Sequence, residues 1–155
     1  MTLIPLLNIF SYSFNICNVD CALIDSIYKP ALDYVFYISR VGNDPHAVKA
    51  DLHGLALVSI SVMAIYIQDT LDKIYNLLQQ LKDPLSQTRL KLCQRDYNEA
   101  LSDFRSSFTT ASRDSFFKAA DLVRIGTNKV IRCHNVGEKL KIWAAFFSKI
   151  RPSKF

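Results

Sequence analysis

The chain has 155 residues, 50% of them hydrophobic, with only four glycines and five prolines. This composition excludes a disordered or low-complexity chain and predicts one packed helical domain with a sizeable core. The net charge of +5 is uneven: residues 1–112 carry 9 Lys/Arg against 11 Asp/Glu, and residues 113–155 carry 10 against 3. Such a field can attract nucleic acid, an anionic membrane or an acidic polysaccharide. Because no block of five basic residues occurs, we interpret the basic residues of the C-terminal part as a solvated face. We therefore expect no nucleic-acid partner.

Residues 1–16 contain no charged side chain. An uncharged apolar start is typical of the central region of a signal peptide, although no Lys or Arg precedes it and no small-x-small cleavage site follows. The stretch is too short and too interrupted to span a membrane, so we expect no membrane insertion. We interpret residues 1–16 as a signal peptide or apolar N-terminal segment, and residues 17–155 as the domain.

The first half of the domain shows two helical patterns. Residues 20–41 have helical apolar spacing that Pro30 interrupts, which predicts a helical hairpin. The Asp44-Pro45 pair is a helix-start signal, and apolar residues then step by threes and fours from Leu52 to Leu81. This stripe predicts a bundle helix of about 30 residues, which ends before Pro84 because proline excludes the preceding residue from the helical region.

The second half of the domain shows the same helix-start signal and apolar spacing. Asp83-Pro84 starts a helix whose apolar face runs through Phe108. A polar break at residues 109–112 ends that helix, and a second pattern starts at Ser112 or Asp114 and continues to Cys133. Gly137 marks a further turn. The last helix carries Leu140, Trp143, Phe147 and Ile150.

Four consecutive helices with short connections pack most simply as an up-down-up-down bundle. We therefore predict an all-α fold, with a four-helix bundle over residues 44–150 preceded by the helical hairpin over residues 20–41. Cys93 and Cys133 each lie 20 residues from Arg113, where the central helices are expected to reverse direction. Both helices rise about 1.5 Å per residue, so the two sulfur atoms return to the same height and can bond. A bridge closing a loop of roughly 40 residues stabilises by about 4 kcal/mol in the chain-entropy model.

Signals for catalysis are weak. The sequence has no Ser/His/Asp order, no glycine-rich phosphate loop and no histidine pair at helical spacing, so we expect no enzyme activity. A metal site is a poor fit because Cys-x-x-x-Cys lacks a second matched pair, and we expect no metal or cofactor. The residues weighed for that site are Cys17, Cys21, Cys133 and His134. Glu99 and Asp103 lie four apart on one helix face, and we interpret them as a solvated stripe.

The residues with the strongest binding signal are Asp114, Phe116, Phe117 and Lys118. Neighbours on a helix point about 100° apart, so the two adjacent phenylalanines cannot both face the core. We interpret one of them as a hydrophobic staple and the other as an exposed anchor for a partner.

Three motifs together resemble the plant invertase and pectin methylesterase inhibitors, most of all the pollen-type invertase inhibitors. They are NDP at residues 43–45, KADLHGLA at residues 49–56 and LCQRDYNEA at residues 92–100, followed by Cys133. The Cys-x-x-x-Tyr-x-x-Ala spacing within the last motif is fairly specific when it follows the second. The likeness covers residues 21–150.

The resemblance implies a secreted four-helix bundle with an N-terminal helical hairpin and two disulfides. One of these joins the second and third bundle helices, here Cys93 and Cys133. It also implies a protein without catalytic activity or cofactor that blocks a carbohydrate-active enzyme by covering its active-site cleft. The expected partner is pectin methylesterase (pectinesterase) or invertase. The expected location is the apoplast or cell wall, with the vacuole as the alternative.

The chain departs from the family at several positions. Cys21 matches the first hairpin cysteine, but Tyr37 stands where its partner belongs, so we expect the hairpin disulfide to be absent, and Cys17 is an additional thiol. SFFK at residues 115–118 replaces the Pro-Lys-Phe element of invertase inhibitors, and the connection after Cys133 is short. Two other hypotheses therefore stay open: a degenerate member without inhibitory activity, and an intracellular helical adaptor whose basic C-terminal third binds an acidic partner.

Overall fold

A computed structural model describes Leu23, Ser26 and residues 39–47 and 50–138. The chain forms two compact units, residues 1–59 and 60–155. The described elements are a 3₁₀ helix, Pro45–Ala47, and three α-helices, α1 (Leu52–Gln80), α2 (Pro84–Ala111) and α3 (Phe116–Glu138). All of these elements are helical, and the prediction of an all-α bundle is confirmed. The predicted hairpin lies mostly outside the described residues and the last helix wholly outside them, so the up-down-up-down order stays a prediction.

In the first unit, the Asp44-Pro45 pair starts one 3₁₀ turn and not the long helix, so that prediction is wrong. The Asp44 carboxylate accepts a hydrogen bond from the His46 N–H at 2.8 Å, and this contact closes a local turn. The cap of α1 is Asp51, whose carboxylate accepts from the Gly54 N–H at 2.8 Å. The helix therefore begins at Leu52, seven residues after the proline.

The second helix start is confirmed. Asp83 has an extended backbone, as the residue before proline requires, and its carboxylate accepts from the Ser86 N–H at 2.8 Å. Hydrogen bonds from the side chain and the backbone N–H of Ser86 lower the pKa of Asp83. Gln87 also donates to the carbonyl of Leu81 at 2.6 Å, which ties α2 to the first residue of the connection. The chain thus leaves α1 and enters α2 through residues 81–83 alone.

The core of the second unit is built by all three α-helices. Its buried residues are Ile67, Leu71 and Ile74 on α1, Cys93, Tyr97, Ala100, Leu101 and Phe104 on α2, and Cys133 on α3. The Cys-x-x-x-Tyr-x-x-Ala motif therefore forms part of the packed interior. Among the described helices, α1 is long and apolar enough to cross a bilayer, a property that core helices of soluble proteins share.

α2 and α3 run antiparallel and are joined by the predicted disulfide between Cys93 and Cys133. Nearer the connection, the buried Ser107 hydroxyl donates to the Ala119 carbonyl at 2.9 Å. Between these two contacts, Gly126 lies so close to Phe104 that a Cβ at this position would be 2.9 Å from two carbons of the ring. The helices are thus held in fixed register along most of their shared length.

Two boundaries of α3 differ from prediction. The helix begins at Phe116, after the expected Ser112 or Asp114, because residues 112–115 form the reversal. The predicted turn at Gly137 is also wrong, since α3 continues through that residue to Glu138. Glycine weakens a helix by only about 1 kcal/mol relative to alanine, and helical neighbours on both sides can outweigh this.

Candidate partner-binding surface at the α2–α3 turn

The predicted binding residues lie at the reversal between α2 and α3, residues 112–118, which we call the tip. Two nested hydrogen bonds shape it: the Ser115 N–H donates to the Thr110 carbonyl at 3.2 Å, and the Asp114 N–H donates to the Ala111 carbonyl at 2.9 Å. This pair is the Schellman motif that ends many helices. Its left-handed position is taken by Asp114, with φ of 59°. The reversal near Arg113 is therefore confirmed, and its backbone is well fixed.

α3 starts immediately after this turn. The Ser115 carbonyl accepts from the Ala119 N–H at 3.0 Å, which is the first hydrogen bond of the helix. Ala111 before the tip and Ala119 after it are both buried. The tip is thus an exposed reversal between two buried alanines.

The structure brings the four predicted residues together and exposes all of them. Phe117 is 94% exposed and Phe116 is 40% exposed, while Asp114 and Lys118 are also exposed. The staple interpretation is wrong for Phe116, because a staple residue precedes the cap and Phe116 is the first residue inside the helix. Phe117 is exposed, and its role as an anchor for a partner stays a prediction.

Sequence reasoning missed a third aromatic near the tip. Phe108, on the last turn of α2, was counted with the core face, but it is 41% exposed. Its carbonyl accepts from the Ser112 N–H at 2.9 Å, so its backbone is part of the reversal. The helical period alone could not show this, because it does not reveal how far the core extends along a helix.

Ion pairs join α2 to α3 away from the tip. Arg132 makes two hydrogen bonds to the buried Asp96 carboxylate, at 2.8 and 2.6 Å. Lys129 lies 2.8 Å from Asp103 and 3.3 Å from Glu99. The hydrogen bond to Asp103, with a smaller contribution from Glu99, raises the pKa of Lys129. Glu99 and Asp103 are therefore both ion-pair partners of Lys129. This arrangement is typical of a structural ion pair and not of acid–base catalysis.

A polar groove of about 490 Å³ runs along α2. Its lining residues are Asn98, Leu101, Ser102, Arg105, Ser106, Thr109 and Thr110. Arg105 donates to the Gln68 side chain at 3.3 Å. None of the described residues that line the groove is a carboxylate or a histidine that could act as a general base beside its hydroxyls.

The metal site with four ligands that the sequence analysis considered cannot form. Cys133 is in the disulfide and offers no thiolate. Cys17 and Cys21 lie outside the described residues. Within the part of the chain that the structure describes, no three His, Cys, Asp or Glu side chains are grouped to hold a metal ion.

No family model and no solved structure matches the chain. The chain is similar to a curated protein of Arabidopsis thaliana named Pectinesterase inhibitor 5, with 30% identity over 114 residues. The matched region covers 73% of this chain and 64% of that protein, so the chain spans slightly less than two thirds of its relative. This similarity supports the resemblance to the plant invertase and pectin methylesterase inhibitors that the sequence motifs indicate.

Proposed function

We propose that this chain is a secreted, non-catalytic protein that inhibits pectin methylesterase by placing its tip over the active-site cleft. The observation that carries the proposal is Phe117, which is almost fully exposed on a turn of fixed geometry. The name of the relative supports pectinesterase over invertase as the first target to test. The Ser-Phe-Phe-Lys run in place of Pro-Lys-Phe at residues 115–118 supports the same order.

Rigidity supports steric occlusion as the mechanism. The disulfide and the bond from Ser107 to Ala119 hold the two helices behind the tip. A surface that is already ordered loses little conformational entropy on binding, so more of the contact energy appears as affinity. A large exposed aromatic at the centre of such a surface is a typical anchor.

The disulfide also supports an extracellular location, because such bonds persist in oxidising compartments. We accordingly propose that residues 1–16 act as a leader and that residues 17–155 form the inhibitory domain. The intracellular adaptor is less well supported. Three of the four Lys and Arg residues on α3, which are Arg124, Lys129 and Arg132, each pair with an acid of the same unit.

Purified protein should be incubated with a plant pectin methylesterase and, separately, with a plant invertase at acidic and neutral pH. The expected result is dose-dependent loss of pectin methylesterase activity. Full activity of both enzymes at micromolar inhibitor would remove the proposal and leave the non-inhibitory member as the better description. Non-reducing mass analysis of the native protein should also recover a linked peptide containing Cys93 and Cys133, whereas reduced cysteines would favour the adaptor.

The role of the tip is tested by Phe117→Ala. If Phe117 is the anchor, the variant should weaken inhibition by about 2 kcal/mol, roughly 30-fold, with little effect on stability. The matched control is Ile131→Ala, which removes an exposed apolar side chain from the far end of α3. Equal inhibition constants for the Phe117 variant and the wild type would place the interface elsewhere. Phe116→Ala, tested in parallel, shows whether the neighbouring ring contributes.

A further inference from the structure

The polar groove along α2 contains a positioned cation that the proposed function does not use. Among the described residues that line the groove, Arg105 is the only charged one, and it donates to the Gln68 side chain at 3.3 Å. Gln68 in turn donates to Asp72 at 3.0 Å, so the amide that receives Arg105 is itself held in place. The guanidinium is therefore oriented by a neutral group, and its other N–H donors remain available to a ligand.

The charge of Arg105 differs in its surroundings from that of two arginines on α3. Arg124 lies 3.3 Å from the Asp121 carboxylate, and Arg132 lies 2.6 Å from the Asp96 carboxylate. Within the part of the chain that the structure describes, no carboxylate forms an ion pair with Arg105, whose side-chain partner is Gln68. The protein leaves this charge unneutralised, and an anion in the groove would be attracted to it.

The other polar groups of the groove are hydroxyls and one amide. The hydroxyls of Ser102 and Ser106 have no hydrogen-bond partner among the described residues. The hydroxyls of Thr109 and Thr110 donate to helix carbonyls, which leaves their lone pairs as acceptors. From Asn98 to Thr109 these groups follow α2 for about 16 Å. The groove therefore offers a row of hydrogen-bonding groups around one fixed cation.

We propose that this groove binds an acidic oligosaccharide, with a carboxylate of the sugar on Arg105 and ring hydroxyls on the serine and threonine hydroxyls. A planar guanidinium pairs with a carboxylate through two parallel hydrogen bonds. Sugar hydroxyls both donate and accept, as the hydroxyls of Ser102 and Ser106 do. The volume of about 490 Å³ lies in the range of small-ligand sites. A nucleic acid fits less well, because the described lining has no aromatic ring on which a base can stack.

The site is tested by isothermal titration calorimetry of the full chain with an oligomer of galacturonic acid. No enzyme is present, so the result is independent of the proposed function. We expect saturable binding that weakens as salt is added. A neutral maltooligosaccharide of the same length, inorganic phosphate and single-stranded DNA are titrated separately. Each should bind roughly tenfold more weakly or less, because each lacks either the carboxylate or the sugar hydroxyls that the groove would contact.

Two variants locate the binding site. Arg105→Gln should weaken binding of the acidic sugar roughly tenfold, because it removes the charge that meets the carboxylate. Arg124→Gln is the matched control, since it makes the same change at an exposed arginine of α3 and should leave binding unaltered. Ser106→Ala should weaken binding of the acidic sugar without reducing its salt dependence. Thermal unfolding followed by circular dichroism verifies that each variant is folded.

Four results would overturn the inference. The first is the absence of saturable binding of the galacturonic acid oligomer at millimolar concentration. The second is phosphate binding as tightly as that oligomer, which would describe a general anion site. Tighter binding of single-stranded DNA would assign the groove to nucleic acid instead. Equal effects of Arg105→Gln and Arg124→Gln would show that net charge, and not the groove, attracts the sugar.

Discussion

Gly126→Ala sets two opposing effects against each other inside one helix. On an exposed helix face this change stabilises by about 1 kcal/mol, because alanine has the higher helix propensity. At Gly126 the added Cβ would lie 2.9 Å from two ring carbons of Phe104 and 3.3 Å from the Cβ of Asp103. Phe104 is only 2% exposed, so its ring cannot swing into solvent and the two helices must move apart. Overpacking of this kind costs about 1–3 kcal/mol, and subtracting the propensity gain of about 1 kcal/mol leaves an expected net loss of about 0–2 kcal/mol.

The measurement is urea denaturation of the protein with its disulfide intact. Loss of helix is followed by circular dichroism at roughly 222 nm, near the α-helix minimum. Gly126→Ala should lower the midpoint without changing the slope. Thr127→Ala is the matched control: the neighbouring residue is exposed, so it should keep or slightly raise the midpoint. Adding Phe104→Leu to Gly126→Ala should cost less than the sum of the two single changes, because the smaller side chain makes room. A Gly126→Ala variant that is about 1 kcal/mol more stable than the wild type, as expected on an open helix face, would refute the close approach of α2 and α3.

Three further changes test the rest of the unit. Burial, reinforced by Tyr66, raises the pKa of Tyr97 from 10.0 to about 12, so the folded state keeps a proton that the unfolded chain loses. The stability linked to Tyr97 is therefore complete below pH 10 and lost as the pH rises towards 12, and Tyr97→Phe should flatten that loss in urea titrations across this range. Arg132→Ala should lower the urea midpoint clearly more than Arg124→Ala, because only Arg132 serves a buried carboxylate. Replacing Cys93 and Cys133 by Ser should reduce the unfolding free energy by about 4 kcal/mol, and reductant should then leave the variant unchanged.

Local sequence rules predicted much of the fold, but identical signals did not have identical outcomes. Asp83-Pro84 starts a long helix because Ser86 donates to the Asp83 carboxylate and apolar residues follow at helical spacing. Asp44-Pro45 produces one 3₁₀ turn, and a second acid, Asp51, caps the helix instead. A cap can only stabilise a helix that its neighbours also favour, so the pair alone does not fix the helix start.

The position of the turn between α2 and α3 was predicted, whereas the exposed aromatic residues around it were predicted only in part. The symmetry of the cysteines around Arg113 located the reversal, and the adjacency of Phe116 and Phe117 required at least one exposed ring. The exposure of Phe108 depends on where the core ends, which no residue near it reveals. The pair Asp96 and Arg132, 17 and 19 residues from Arg113, follows from the same symmetry that relates the cysteines, since antiparallel partners lie at nearly equal distances from the turn.

The positions of the disulfide and the tip have a consequence for the effect of proteolysis on this protein. Cys93 and Cys133 close a covalent ring, and the exposed tip lies within it, about 25 Å along each helix from the two cysteines. Exposed loop ends are preferred points of attack for proteases. A cut in the tip therefore opens the ring without releasing either fragment, and the two helices remain a single molecule until the sulfur bond is reduced.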